Sequence, residues 1–506
     1  MNMQVDFTPE QRVLVDEKNV LSEVNIEKYR LAGQISQTCL SYIISLLKTS
    51  VSSGLSIGEI CRLGDSFLQK TVDGVFKRSV EEKGIALPVS IDKNGFVFGV
   101  APEEEDLFQG GQLVAGDIVK ITLGVHIDGY TAQVSHTQAI VDDEDAQSVN
   151  TPLTGGHADA VCAAYLATEA VIALLGSALY PTILSANNVS NITGHNIRSV
   201  VETVAKSFNV QVVPGSRVRR VRRFLAGQNT VVEEKDFKGV TWNQDTEEEK
   251  ALQTTVKENA VLAQNGDHDW IDAEANPDDF LVEEGEAWLV DIQMAATGGK
   301  KGVIRMKEFS GYNDTINIVK PTIFSRDFAV HYGLKLRSSR ITLGKIEQYA
   351  SVYPFKLTHV TDEEIDLPTA RLGLSELINH HIIETHPIQI ANFIPLSVLA
   401  NPNGAKREIA NATVEVSVAR NMTTLILVPA SQSTTGYGEV MRLTGGSKVA
   451  PPPWVHSSFE ITDNSVLGLL NLLQDKKLGV RVKEVQASKV DPSAAADISL
   501  DDMVME

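Results

Sequence analysis

Residues 115–141, AGDIVKITLGVHIDGYTAQVSHTQAIV, hold two runs rich in β-branched residues, Asp117 to Val125 and Tyr130 to Val141. Between them lies Ile127-Asp128-Gly129. Asp and Gly both tolerate the left-handed backbone that a tight hairpin turn demands, so the stretch reads as an antiparallel hairpin. Another β-rich run, Gly95 to Gly99, precedes it, and strands read again at Val210 to Val213 and Ala287 to Met294. Upstream, Ile35, Cys39, Tyr42, Ile43, Leu46 and Leu47 recur at helical spacing within Val24 to Leu47. Downstream, Ala158 to Leu175 and Asn196 to Phe208 are amphipathic and long enough to flank a sheet. The elements follow no regular βαβ alternation, which predicts an α+β architecture.

The chain has 506 residues, 43% of them apolar, enough for a sizeable core in several domain-sized units. Its 65 acidic and 45 basic residues leave a net charge of −20, which disfavours blanket binding to nucleic acid but permits a local basic patch. The opening MNMQVDFTPEQ lacks the basic start and apolar run of a leader, so an intracellular protein is expected. Cys39, Cys61 and Cys162 are too few and too scattered for a disulfide framework. Ala160 to Tyr180 is apolar but carries Thr168 and Glu169, which fits a packed helix better than a membrane span.

Ser56 and Glu59 stand three apart ahead of Ile60, Leu63, Phe67 and Leu68, the pattern of a capping box opening a helix. The overlapping GLSIG matches the GxSxG of serine hydrolases, but that motif needs a preceding strand, so Ser56 reads as a cap. Residues 231–280 hold 14 Asp or Glu against four Lys, half of the net charge in a tenth of the length. This is expected to be a solvated acidic insertion, with a mobile loop at Gln264 to Asp279. Disorder is expected from Ser488 to Glu506, and Pro451 to Pro453 read as a stiff turn. Against this acidity, Arg217, Arg219, Arg220, Arg222 and Arg223 fall within seven residues, and Lys300, Lys301, Arg305 and Lys307 form a weaker patch. Guanidinium groups match phosphate geometry, so both clusters are candidate RNA contacts; a solvated strand edge is the plainer alternative.

The segment GIALPVSIDKNGFVFGVAPEEED, the hairpin above, VEEGEAWLVDIQMAATGGKKG, YGLKLRSSR, VYPFKLTHV and TTLILVPASQS follow one another in collinear order over most of residues 25 to 470. Together they closely resemble the pita-bread methionine aminopeptidases, especially type 2. YGLKLRSSR and the stretch after it are most similar to noncatalytic relatives, the ErbB-receptor-binding proliferation-associated protein and the fungal ribosome-export factor. The resemblance implies an N-terminal extension over 1–24 and a pita-bread domain over 25–319 with its acidic insertion near 240–279. It further implies an inserted helical domain over 320–418, a return to the main domain over 419–475, and an acidic tail over 476–506.

In that family two divalent ions, held by carboxylates and a histidine, activate water. The resemblance places the five ligand positions on Thr122, Gln133, Arg217, Asp291 and a residue near Ser433. The two substrate-contacting histidines fall on Gly99 and Leu225. Four of the five ligand positions carry no carboxylate or imidazole, so neither catalysis nor a resident metal or other cofactor is expected. Rescue of one metal ion by His126, His136 or His195 is the alternative, and His380, His381, Glu384 and His386 form a second metal-like pattern.

The leading expectation is a noncatalytic assembly and export factor of the precursor of the large (60S) ribosomal subunit. The resemblance implies contacts with rRNA and ribosomal proteins near the peptide exit tunnel and with nuclear pore proteins. It also implies shuttling between nucleus and cytoplasm, no membrane partner, and a monomer off the ribosome. The alternatives are an active metal-dependent aminopeptidase and a pseudoenzyme that binds nascent peptide N-termini.

Overall fold

The computed structural model describes residues 17–76, 82–103, 111–141, 153–186, 191–223, 237–262, 278–309, 320–399, 414–445, 455–475 and 479–488, with 3–4, 80 and 232–233 besides. Leu225, Pro451 to Pro453, most of the expected mobile loop and nearly all of the expected disordered tail lie outside these residues.

Helix α1 (Glu23–Lys48) starts on Ser22, whose side chain accepts from Asn25 N. Helix α2 (Ile57–Gly74) starts on the Ser56–Glu59 capping box, both halves of which are formed, so GLSIG is a helix start and not a nucleophile turn. These two helices pack on strands β1 (Lys83–Lys93), β3 (Ile118–Ile127) and β4 (Tyr130–Ala139), while β2 (Phe96–Phe98) leaves for a second sheet. The β3–β4 turn is the expected one, with Asp128 at φ 53° and Gly129 at φ 79°. Helix α3 (Gly156–Ser177) passes the length and apolarity test for a membrane span, yet it is buried between the sheet and α4 (Gly194–Ser207). Its close seating needs Gly176, where an added Cβ would come within 2.4 Å of Val480.

The main sheet continues through β5 (Arg217–Val221), β6 (Gly239–Thr241), β7 (Ala287–Ala296) and β12 (Val418–Val428), in the order β1-β3-β4-β12-β7-β5-β6. All neighbours on this path are antiparallel. One transverse row of directly paired residues crosses it: Ser90, Thr122, Ser135, Met422, Asp291, Arg217 and Thr241. Facing residues in paired strands share a side. Their neighbours along the strands, such as Ile121, Val134, Val290 and Ile292, point the other way into the cores beneath the helices.

Within the acidic insertion Gln244–Leu262 form helix α5, which packs on strand β8 (Gly302–Glu308). A unit with its own core follows: β9 (Ile323–Arg326), α6 (Arg337–Tyr349), α7 (Leu367–Asn379) and β10 (Ile383–His386), closed around Ile346, Phe355, Leu357, Leu377 and Ile382. It is shorter than the expected 320–418, because β11 (Gln389–Pro395) already pairs with β8 and β2 in the second sheet.

Candidate functional site

The transverse row is where the family's metal centre would lie. Thr122 and Ser135 are spent on each other, their hydroxyls 2.9 Å apart in the core of the sheet. Gln133 lies two residues from Ser135 along β4 and lines the cleft with its neutral amide. Asp291 is the one carboxylate in the row, 1% exposed. It is held from one side by Arg420, whose Nε donates to Oδ1 at 2.8 Å and Nη2 to Oδ2 at 2.7 Å. From the other side Arg217, its direct strand partner, brings Nε to 3.5 Å of Oδ2.

The fifth position needs correction. Ser433 lies beyond the end of β12, where its hydroxyl meets Thr435 at 2.8 Å near the surface. Met422 is the β12 residue paired with both Asp291 and Ser135. Gly99 follows β2 at φ 107°, a backbone that suits glycine, and an added Cβ would come within 3.1 Å of Ile388.

Two dications need several anionic oxygens to offset desolvation. Here the single carboxylate already carries a bidentate guanidinium and a second guanidinium at salt-bridge distance. The residues present do not fit a divalent metal centre, because cationic groups occupy the space beside the remaining ligand. Burial pushes the Arg217 guanidinium down from its usual range, with Asp291 opposing the shift and Arg420 adding to it. Asp291 also helps raise Arg420, against the effect of its burial. Next to the row, burial brings the Lys120 amine down to about 7 despite Asp92 beside it.

The candidate substitutes do not converge. His126 is buried against Tyr353, His136 bonds to Tyr165 across the helix side of β4, and His195 reaches Asp279 at 3.0 Å on the surface. Burial holds the first two imidazoles down to about 3 and about 4. In the HHIIETH segment, His380 stacks on Tyr332, while His386 bonds Ser325 at 3.0 Å and borders the cleft. Among the described residues no group of three His, Cys, Asp or Glu could hold a metal ion.

Nor do the arginines of β5 make one surface. Alternation sends Arg217 and Arg219 to the cleft side and Arg220 to the opposite one, where it faces Glu286 at 3.5 Å. Arg219 is buried at 7% exposure, and Arg223 is tied to the carboxylate and carbonyl of Asp128. Arg222 is half-buried after the strand ends. Arg305 donates twice to Glu248 of α5, at 2.5 and 2.7 Å, so the acidic insertion neutralises part of the second basic patch. Lys300, Lys301 and Lys307 remain exposed.

Sequence reasoning missed Arg420, and it missed a different set of cations. Lys335, Arg337 and Arg340, at the start of α6, are exposed and make no ion pair among the described residues. Close by, exposed Tyr332 stacks on His380 with centroids 3.6 Å apart. The available signal was YGLKLRSSR itself, three cations in nine residues with no acidic neighbour.

No family model matches the chain. It is 44% identical over 500 residues to a probable metalloprotease ARX1 of Yarrowia lipolytica, covering 97% of this chain and 98% of that one. It is 26% identical over 454 residues to proliferation-associated protein A of Dictyostelium discoideum, covering 90% of each. A solved thermophilic Arx1 superimposes with a TM-score of 0.60 at 19% identity, over 91% of this chain and 100% of that one, a likeness of fold.

Proposed function

The chain belongs to the Arx1 family and has its methionine aminopeptidase-like pita-bread fold, and from that premise we propose that it is a noncatalytic assembly and nuclear-export factor of the pre-large ribosomal subunit. The observation that carries the noncatalytic part is the capture of Asp291 by Arg420 and Arg217. Water activation in this fold needs dications where those guanidinium groups lie. The relatives' name speaks of a metalloprotease; in this chain, Asp291 alone supports that reading.

The ribosomal part draws on charge placement. In a protein of net charge −20, Lys335, Arg337 and Arg340, exposed and without an ion pair among the described residues, form a local cationic edge beside an aromatic face. That combination suits RNA phosphates and an unstacked base, while the bulk charge suppresses unspecific binding. The factor would ride on the subunit near the exit tunnel, touch ribosomal and pore proteins, and shuttle between nucleus and cytoplasm.

Sedimentation of the tagged protein through sucrose gradients at low and high salt, with the RNA of each fraction identified, tests the reading. Comigration with large-subunit precursors that is lost at high salt is expected. Protein that stays at the top of the gradient under every condition overturns it.

A further inference from the structure

Strand β1 is an edge of the main sheet, paired with β3 on one side and with no strand on the other among the described residues. Asp128 N donates to the Glu82 carbonyl at 2.6 Å, and Gly84 pairs with His126 in the same register. Bonded pairs alternate with unbonded ones in an antiparallel ladder, so the N–H and C=O groups of Lys83 and Ile85 point outward. Farther along, the edge is closed: Val89 N donates to Asp65 Oδ1, Pro88 has no N–H, and Ile91 N donates to the Val100 carbonyl. The outward main-chain groups of Lys83 and Ile85 have no such partner among the described residues.

This open stretch borders a groove of about 700 Å³. One wall is the face of α2 from Arg62 to Asp73, about 16 Å long at the rise of a helix. Another is the end of α6 with the segment after it, including Tyr349 and Phe355. His126 also borders the groove, beside Gly84, where an added Cβ would lie 3.4 Å from the His126 Nε2. The imidazole is 2% exposed, and its Nδ1 has no hydrogen-bond partner. Ile85 is itself 8% exposed, and native proteins rarely leave buried main-chain groups and ring nitrogens unmet.

We propose that this groove takes an extended peptide segment of another protein, added to β1 as one more strand. Such a segment presents alternating donors and acceptors, and one of its residues can exchange both main-chain bonds with Ile85. About five extended residues span the length of the α2 wall. A phosphate backbone offers acceptors without donors, so it leaves the outward carbonyls unmet. The peptide residue beside Gly84 places its side chain on the same side of the sheet as His126, in the space that glycine leaves. The proposal rests on the sheet edge and the groove and not on the ribosomal reading, so either can fail alone.

Panning of the full chain against a displayed random heptapeptide library, followed by synthesis of the recovered peptides, tests it. Saturable binding is expected, weakened roughly tenfold by N-methylation of one alternate set of peptide amides and unchanged by methylation of the other. Ile85→Pro removes an outward N–H and no ladder bond, so it should weaken binding by a similar factor, while Ile85→Val should not. Amide exchange read residue by residue gives a measurement that needs no variant. In the free chain Gly84 should exchange slowly and Ile85 fast, and bound peptide should slow Ile85. Absence of any saturable peptide, equal loss from both methylated sets, or an unchanged affinity in folded Ile85→Pro overturns strand addition. An Ile85 amide already protected before peptide is added overturns the partner, because the edge is then filled by the chain itself.

Discussion

His126 on β3 lies nearly flat against Tyr353, with ring centroids 4.1 Å apart and planes 23° from parallel. Tyr353 in turn donates from its hydroxyl to the Gly129 carbonyl at 3.0 Å, so the stack joins the hairpin to the segment between α6 and α7. Burial lowers the His126 imidazole from 6.5 to about 3, and it stays neutral in the folded state across that window. The unfolded chain binds a proton there that the folded chain does not, so stability is complete above about 6.5 and declines as pH falls toward 3. The slope is roughly 1.4 kcal/mol per pH unit for this imidazole. Replacing His126 with Phe should flatten the dependence of the urea midpoint on pH between 7 and 5. An unchanged slope would remove His126 from the account.

Arg420→Ala strips the bidentate partner from a carboxylate at 1% exposure and leaves only Arg217 beside it. Breaking a buried pair from one side costs about 3–5 kcal/mol. The double variant Arg420→Met with Asp291→Leu should regain part of that loss, since it removes both members of the bidentate pair and costs the part-exposed Arg217 only its 3.5 Å contact with Asp291. Urea unfolding of the three proteins checks this, and a double variant no more stable than the single one would contradict it.

Metal should make no difference to the purified protein. Stoichiometric cobalt, manganese or zinc is not expected after dialysis against trace metal, chelator should leave the melting temperature unchanged, and Met-initiated peptides should not be cleaved. Turnover that Asp291→Ala abolishes would restore the peptidase reading.

Replacing Lys335, Arg337 and Arg340 with Ser should weaken association with ribosomal RNA and reduce its dependence on salt by roughly one phosphate contact per cation. Stability should stay within about 0.5 kcal/mol, because these side chains are exposed. Arg223→Ser should do the reverse. It removes the hydrogen bonds to Asp128 and lowers stability, with little effect on RNA affinity.

Much of this molecule is legible from local pattern. The Ser56–Glu59 box, the Asp128-Gly129 turn and the burial of α3 all depend on residues close in sequence, where cap chemistry and periodicity act directly. Asp291 was legible as the surviving ligand because its strand motif is intact. Its partner was not. Arg420 lies 129 residues away, and only the pairing of β12 with β7 brings the two together. Met422 hid for a related reason, as one apolar residue at the head of a run of strand formers. The β5 arginines looked like a surface patch because counting charge along a chain ignores which side of the strand each residue takes. It ignores too that Asp128, Glu286 and Asp291 supply carboxylates from distant segments.

Asp128 also sets an order of events during synthesis. Its carboxylate holds Lys28 of α1 and Arg223 beyond β5, residues 100 and 95 positions away on opposite sides of it in the chain. Chains grow from the N-terminus at roughly 5–20 residues per second, so Arg223 is made some 5 to 20 s after Asp128. A hairpin with a tight turn closes within microseconds. For those seconds the turn can be formed and docked on α1 while one side of its carboxylate stays open to solvent. The arrival of Arg223 then fastens the second half of the sheet to a scaffold that was already standing.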